Sequence, residues 1–147
     1  MIINSTISLP GDKSISHRSI MLASIASGVS CITNLNDGED LQSTIKAMQS
    51  CGVSIQKEGD TILVKGSTLE NPIKPIDCGN SGTTSRLLAG LLSSQHLSFS
   101  LIGDISLSKR PMNRVIKPLT EMGCMIRSND GLLPLHIEAS KGLDRIN

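Results

Sequence analysis

The residues best suited to chemistry sit in two short runs of small and polar side chains, GDKSISHR at 11–18 and GNSGTTSR at 79–86. Each run ends in an arginine and leads into an aliphatic stretch of helical character, SIMLASIAS at 19–27 and LLAGLLSS at 87–94. A helix start leaves backbone N–H groups without intrahelical acceptors and carries the positive end of the helix dipole, so a loop placed there is a ready site for phosphate or carboxylate. The first loop adds Lys13, Ser14, Ser16 and Arg18, and the second adds Asn80, Ser81, Thr83, Thr84 and Arg86. Two N-capped helices with glycine turns would give a similar pattern without a ligand. Two such loops at equivalent places, both carrying arginine, favour anion binding. No Lys follows the last Gly of GNSGTT and neither loop reads G-x-G-x-x-G, so neither is a P-loop or a dinucleotide fingerprint.

A third cluster, SLSKRPMNRV at 106–115, holds Lys109, Arg110 and Arg114. The spacing of Met112, Val115, Ile116, Leu119 and Met122 predicts a helix here, with Pro111 suited to its first position. Cations at a helix N-terminus oppose the dipole, at about 0.3–1 kcal/mol each. Hydrogen bonds to a charged group are worth about 1.5–3 kcal/mol, so an anionic ligand would outweigh that cost. A solvated basic turn is the plain alternative. Asp37, Glu39 and Asp40 read as dipole complementation at the start of another helix. The four cysteines at 31, 51, 78 and 124 have neither C-x-x-C spacing nor a paired histidine; no metal site is expected, and they read as buried thiols. His17, His96 and His136 read as structural or solvent-facing, with no Ser/His/Asp or Cys/His arrangement around them.

The elements that must position these residues come in two similar copies. Each has its loop and helix, then a short strand-like run (CITNL at 31–35, LSFSLIG at 97–103), then a second helix. In the first copy Leu41, Ile45 and Met48 recur at helical spacing. Each second helix ends at a Cys/Gly pair, Cys51-Gly52 and Gly123-Cys124, where glycine can take a left-handed cap. Residues 53–66 and 124–139 each read as strand, turn, strand, with Asn129-Asp130-Gly131 a strong turn signal. The expected fold class is α/β (α+β), built from two β-α-β-α-β-β units at 11–67 and 77–140. Residues 68–76, with two prolines, read as a linker, and 141–147 as a tail. A strand over 2–8 lies in a segment, 1–10, expected to belong to or hinge toward a second domain.

Composition narrows the function. With 147 residues, 14 Lys+Arg against 13 Asp+Glu and a net charge of +1, the chain lacks the basic excess of a nucleic-acid domain. Phe99 is its only aromatic, so stacking platforms for bases are absent too. At 38% hydrophobic residues the core must be aliphatic, and a chain this long buries roughly 68–70% of its unfolded surface. No apolar run reaches the ~20 residues that span a bilayer. The N-terminus lacks a basic n-region followed by a long apolar h-region, so no membrane partner is expected and the expected location is cytoplasmic.

Three segments, LPGDKSISHR (9–18), DCGNSGTTSRLLAGLL (77–92) and GDISLSKRPMNRV (103–115), resemble conserved segments of the 5-enolpyruvylshikimate-3-phosphate synthase family, in the same order. The resemblance implies that family's inside-out α/β barrel: two domains, each of three such units, closing over the substrates. It implies transfer of the enolpyruvyl group of phosphoenolpyruvate to the 5-hydroxyl of shikimate 3-phosphate, with release of phosphate and with neither metal nor organic cofactor. By the same resemblance Lys13 is catalytic and touches both substrates, and Ser14 and Arg18 hold shikimate 3-phosphate. Asn80, Gly82 and Arg110 hold phosphoenolpyruvate, while Thr83 and Arg86 support the loop. Leu87 stands where many herbicide-sensitive members have proline. Members are much longer, so the resemblance implies an N-terminal portion whose partner is the remainder of the enzyme and which does not turn over alone. Two other readings are an anion-binding module that holds a sugar phosphate without catalysis, and a portion of the related transferase that acts on UDP-N-acetylglucosamine.

Overall fold

The computed structural model describes residues 9–139 and 142–145. The first copy comprises helix α1 (Lys13–Ile25), strand β1 (Val29–Thr33), helix α2 (Glu39–Ser50) and the hairpin β2 (Ser54–Glu58) and β3 (Thr61–Lys65). The second comprises β4 (Ile76–Asp77), α3 (Gly82–Ser94), β5 (Phe99–Ile102), α4 (Asn113–Glu121) and the hairpin β6 (Met125–Asn129) and β7 (Leu132–Glu138). A short 3-10 turn, Leu107–Lys109, precedes α4. The sheets have orders β1-β3-β2 and β4-β5-β7-β6, so β5-β7-β6 repeats the arrangement of β1-β3-β2. The strand expected over 2–8 lies outside the described residues, as do residues 140, 141, 146 and 147.

Both first helices begin earlier than the aliphatic stretches predict. At α1 the Asp12 carboxylate accepts the Ile15 N–H at 2.7 Å, and the Asp12 carbonyl accepts the Ser16 N–H at 2.9 Å. At α3 the Ser81 hydroxyl accepts the Thr84 N–H at 3.1 Å. These side-chain caps satisfy donors that the helix itself cannot, and so fix where it starts. Lys13, Ser14 and Arg18 therefore stand on the first turns of α1, and Thr83 and Arg86 on those of α3, rather than in loops. α4 starts later than predicted. Met112 is its N-cap, its amide bonded to the Gly131 carbonyl at 2.8 Å, and Pro111 lies outside the helix. Gly52 and Gly123 take positive φ, 88° and 96°, at the ends of α2 and α4.

Packing is aliphatic throughout. α1 packs on β1 and β3, α3 packs on β5 and β7, and α1 and α2 both meet α3. Ile20, Leu41, Met48 and Val64 of the first copy form one cluster with Leu88, Leu92, Leu101 and Leu135 of the second, and Phe99 joins it. Residues 67–76 are pinned rather than free. The Ser67 N–H reaches the Ser24 carbonyl at 3.1 Å, the Glu70 N–H reaches Cys51 at 2.9 Å, and the segment ends in β4, parallel to β5. Cys51, Cys78 and Cys124 are buried, whereas Cys31 is exposed. The period of two along β1 turns Cys31 outward with Val29 and Thr33. Burial pushes the Cys78 thiol up to about 12, with the Asp77 charge adding to it.

A polar thread crosses this apolar core. The His17 Nδ1 lies 2.7 Å from the Thr44 hydroxyl, and the Thr44 hydroxyl lies 2.7 Å from that of Thr84. Thr84 in turn is 2.7 Å from the Ser81 hydroxyl and 3.2 Å from the Asp40 carbonyl. His17, Thr44, Ser81 and Thr84 are all essentially inaccessible to solvent. The histidine read as structural or solvent-facing is thus buried, and among the described residues the His17 Nε2 finds no partner. An unsatisfied buried polar atom costs on the order of 1–3 kcal/mol, so the bond from Nδ1 to Thr44 and the surrounding packing hold the ring in place against that cost.

Two outcomes follow from the packing. Burial pushes the His17 pKa below its ordinary value, with Asp40 opposing and Lys13 reinforcing the shift. An unfolded histidine titrates near about 6.5, so below that pH the unfolded chain binds the extra proton first. Stability should therefore fall as pH drops from about 6.5 toward the folded pKa, and His17 should add no slope well above about 6.5. Thermal melts across this range should be flatter for His17→Asn. Separately, a Cβ on Gly66 would lie 1.9 Å from the Ala26 carbonyl oxygen and 2.7 Å from that of Ala23, both backbone. Gly66→Ala should cost about 1–3 kcal/mol or more, read as a lower urea midpoint at unchanged m-value.

Candidate functional site

The second glycine-rich segment is tied down from both sides. The Gly79 N–H bonds the Asp77 carboxylate at 2.8 Å, and the Cys78 N–H bonds the Ile102 carbonyl at 2.9 Å. The Gly79 carbonyl accepts the Asp104 N–H at 2.9 Å. This joins the turn before α3 to the turn after β5, and so brings the second and third conserved-looking segments together.

Asn80 is the bridge between them. Its amide nitrogen donates to the Asp104 carboxylate at 2.6 Å, and its carbonyl oxygen accepts from the Arg110 guanidinium. The other Asp104 oxygen accepts the Leu107 N–H at 2.7 Å. That amide first, then the Asn80 amide, holds the Asp104 carboxyl below its ordinary range. A carboxylate can only accept, so it fixes which end of the Asn80 amide faces Arg110. The Arg110 guanidinium also reaches the Ser106 hydroxyl at 3.3 Å.

Gly82, the first residue of α3, lies where two arginines converge. A Cβ there would come 2.5 Å from Arg86 Nη1 and 3.5 Å from Arg110 Nη1. Arg86 donates to the Gly82 carbonyl at 3.2 Å and to the Pro111 carbonyl at 3.1 Å, strapping the start of α3 to the link before α4. The missing side chain lets both guanidiniums approach the start of α3, so positive charge gathers beside its first turn, as an anion site requires.

The other half stands on α1. Lys13 pairs with the Asp40 carboxylate in the first turn of α2. Asp40, expected to complement the α2 dipole, does sit in that turn and also takes this lysine. Ser14 and Arg18 are exposed one turn apart on α1, so they share a face. Thr83 is half-buried beside Gly82.

The basic cluster at 106–115 departs from expectation. Lys109 closes the 3-10 turn, Arg110 occupies an extended link, and only Arg114 lies in the first turn of α4. The expected conflict with the α4 dipole is thus confined to Arg114. Asp104, Ser106, Lys109 and Arg110 line an open groove of about 700 Å³. A more enclosed cavity of about 440 Å³, lined by Pro10, Asn34, Asp37, Leu41 and Lys57 among others, contains none of the expected site residues. Among the described residues, no group of three or more His, Cys, Asp or Glu could hold a metal ion, and no helix is long and apolar enough to cross a membrane.

Sequence reasoning passed over Thr44 and Asp104 as partners, and named Ser81 as a loop residue without its role as the cap of α3. Ser81 was legible as the first residue of an S-x-x-T cap; Thr44, in mid-helix, gives no local signal.

The sequence model of EPSP synthase (3-phosphoshikimate 1-carboxyvinyltransferase) matches residues 2–147. The chain is 51% identical over 148 residues to a 3-phosphoshikimate 1-carboxyvinyltransferase of Ruthia magnifica subsp. Calyptogena magnifica, covering 99% of this chain and 34% of that protein. It is 49% identical over 142 residues to the protein of the same name from Vesicomyosocius okutanii subsp. Calyptogena okutanii, covering 95% and 33%. An EPSP synthase structure from Acinetobacter baumannii superposes with a TM-score of 0.89 at 41% identity, over 95% of this chain and 33% of that one. The chain thus spans about a third of the length of the relatives it matches, and it shares their inside-out α/β fold. On the match over residues 2–147 and this superposition, the chain belongs to the EPSP synthase family.

Proposed function

We propose that this chain forms the phosphate-gripping part of an enzyme that moves the enolpyruvyl group of phosphoenolpyruvate to the 5-hydroxyl of shikimate 3-phosphate. The observation that carries the reading is the meeting of Gly82, Arg86 and Arg110 at the start of α3, with Lys13 heading the neighbouring α1. In the reaction the 5-hydroxyl oxygen bonds to C2 of phosphoenolpyruvate while a proton adds to C3. The tetrahedral intermediate then expels phosphate and loses a proton.

Negative charge is present on both substrates and on the departing phosphate. Fixed amides and cations stabilise it without reorganising. Gly82, Asn80 and Arg110 take phosphoenolpyruvate, Asn80 acting through its grip on Arg110. Ser14 and Arg18 take shikimate 3-phosphate, and Lys13 stands where both can reach it. Thr83 and Arg86 hold the start of α3 in shape. No metal or organic cofactor enters this reading. The relatives are about three times as long, so turnover is assigned to the whole protein, with the remaining residues closing over the substrates and excluding water.

Calorimetric titration with each substrate tests this. Each should bind weakly. Lys13→Ala should weaken both by about tenfold or more, as expected for losing a hydrogen bond to a charged group. Arg110→Ala should weaken phosphoenolpyruvate by a similar factor and leave shikimate 3-phosphate nearly unchanged. Affinities untouched by either substitution would contradict the assignment. Gly82→Ala should displace the Arg86 guanidinium, weaken phosphoenolpyruvate severalfold and leave the melting temperature close to wild type, because the clash is with a flexible side-chain end.

A further inference from the structure

We propose that Thr44 is a positioning residue that sets the spacing between the first turns of α1 and α3 and so couples the two halves of the anion site. It stands at the centre of the buried thread, 2.7 Å from His17 Nδ1 and 2.7 Å from the Thr84 hydroxyl. His17 follows Lys13 by one turn of α1, and Thr84 follows Gly82 within the first turn of α3. Asp40 precedes Thr44 by one turn of α2. Its carboxylate holds Lys13 and its carbonyl lies 3.2 Å from the Thr84 hydroxyl. Three helices thus meet at one hydroxyl.

The hydrogen count makes the thread collective. Thr44 has one hydroxyl hydrogen and two partners, so it donates to one and accepts from the other. If it donates to His17, Thr84 must donate to Thr44, and the Asp40 carbonyl loses the Thr84 hydrogen. If it donates to Thr84, His17 Nδ1 must carry the hydrogen. No water reaches these groups to replace a lost bond, since all are fully buried. A slide of α1 along α3 therefore breaks the thread and leaves buried polar groups unpaired, a cost added to that of disturbing the aliphatic contacts. The anions concerned are those of the proposed function; the spacing claim does not depend on them.

Thr44→Val keeps the shape and removes the hydroxyl, and Thr44→Ser restores it. Hydrogen exchange without ligand gives the first reading. In Thr44→Val the amides of Ser16 to Arg18 and of Ser85 and Arg86 should exchange together at least about tenfold faster, while Leu101 and Leu135 keep wild-type rates. Thr44→Ser should match wild type. Rates within about twofold of wild type at both helix starts, or a uniform rise everywhere, would overturn the proposal.

Ligand coupling gives the second reading. Phosphoenolpyruvate affinity is measured with and without shikimate 3-phosphate. Wild type should show coupling of about fivefold or more, and Thr44→Val less than about twofold, with each separate affinity retained. Wild-type coupling preserved in Thr44→Val would overturn the proposal even if exchange quickens. Binding of neither compound to wild type would overturn the proposed function and leave the exchange result to decide the spacing. If Thr44→Val does not fold, Thr84→Val removes the same bond together with those to Ser81 and the Asp40 carbonyl, and Thr84→Ser, which keeps the hydroxyl, is its control; faster exchange at both helix starts in Thr84→Val alone supports the proposal, and wild-type rates overturn it.

Discussion

The hydroxyl-to-hydroxyl bond between Thr44 and Thr84, with His17 behind it, links the two copies of this chain at the level of single atoms. Around it the interface is Ile, Leu, Val, Met and Ala, with one phenylalanine in the whole chain. Burial of such surface is worth about 25 cal/mol per Å² and is non-directional, so it specifies register less sharply than a hydrogen bond does. A buried hydrogen bond has direction and no substitute from solvent. The apolar cluster makes the copies adhere, and the polar thread decides their register. Since α1 carries Lys13 and α3 begins with Gly82, register is also site geometry.

The charged groups of the site follow a second constraint, that a cation near a helix start must be held by something. Lys13 is held by Asp40, and Arg110 by Asn80, whose orientation Asp104 dictates. Arg86 spends its donors on backbone carbonyls of Gly82 and Pro111. The cations are already arranged by these partners, which would lower the cost of binding the proposed anion. An exposed pair such as Lys13 with Asp40 contributes at most about 1 kcal/mol to stability, so its value lies in placement.

Much of this was legible in the residues and some was not. The second hairpin announced itself through Asn129-Asp130-Gly131, the first through the strand, turn, strand pattern of residues 53–66, and the helix ends through Gly52 and Gly123, because turn chemistry is local. Helix starts were misplaced because aliphatic periodicity begins at residue 19, while Asp12 and Ser81 cap the helices earlier. Cys31 was misread because burial along β1 depends on which face its neighbours leave open. His17 could not be assigned a partner, since Thr44 lies on another helix and nothing near either residue in sequence points to the other. The expected anion residues lay in recognisable segments. The residues that orient them, Asp104 and Thr44, are set by tertiary contact alone.

The central claim is that the starts of α1 and α3 form one site. Amide chemical-shift mapping during a titration with phosphoenolpyruvate, in the presence of saturating shikimate 3-phosphate, tests it most directly. The account predicts that Lys13 and Ser14 on α1 shift together with Gly82 and Thr83 on α3, along curves described by a single dissociation constant. Shifts confined to one helix start, or centred on the cavity beside Asn34 and Lys57, would contradict it.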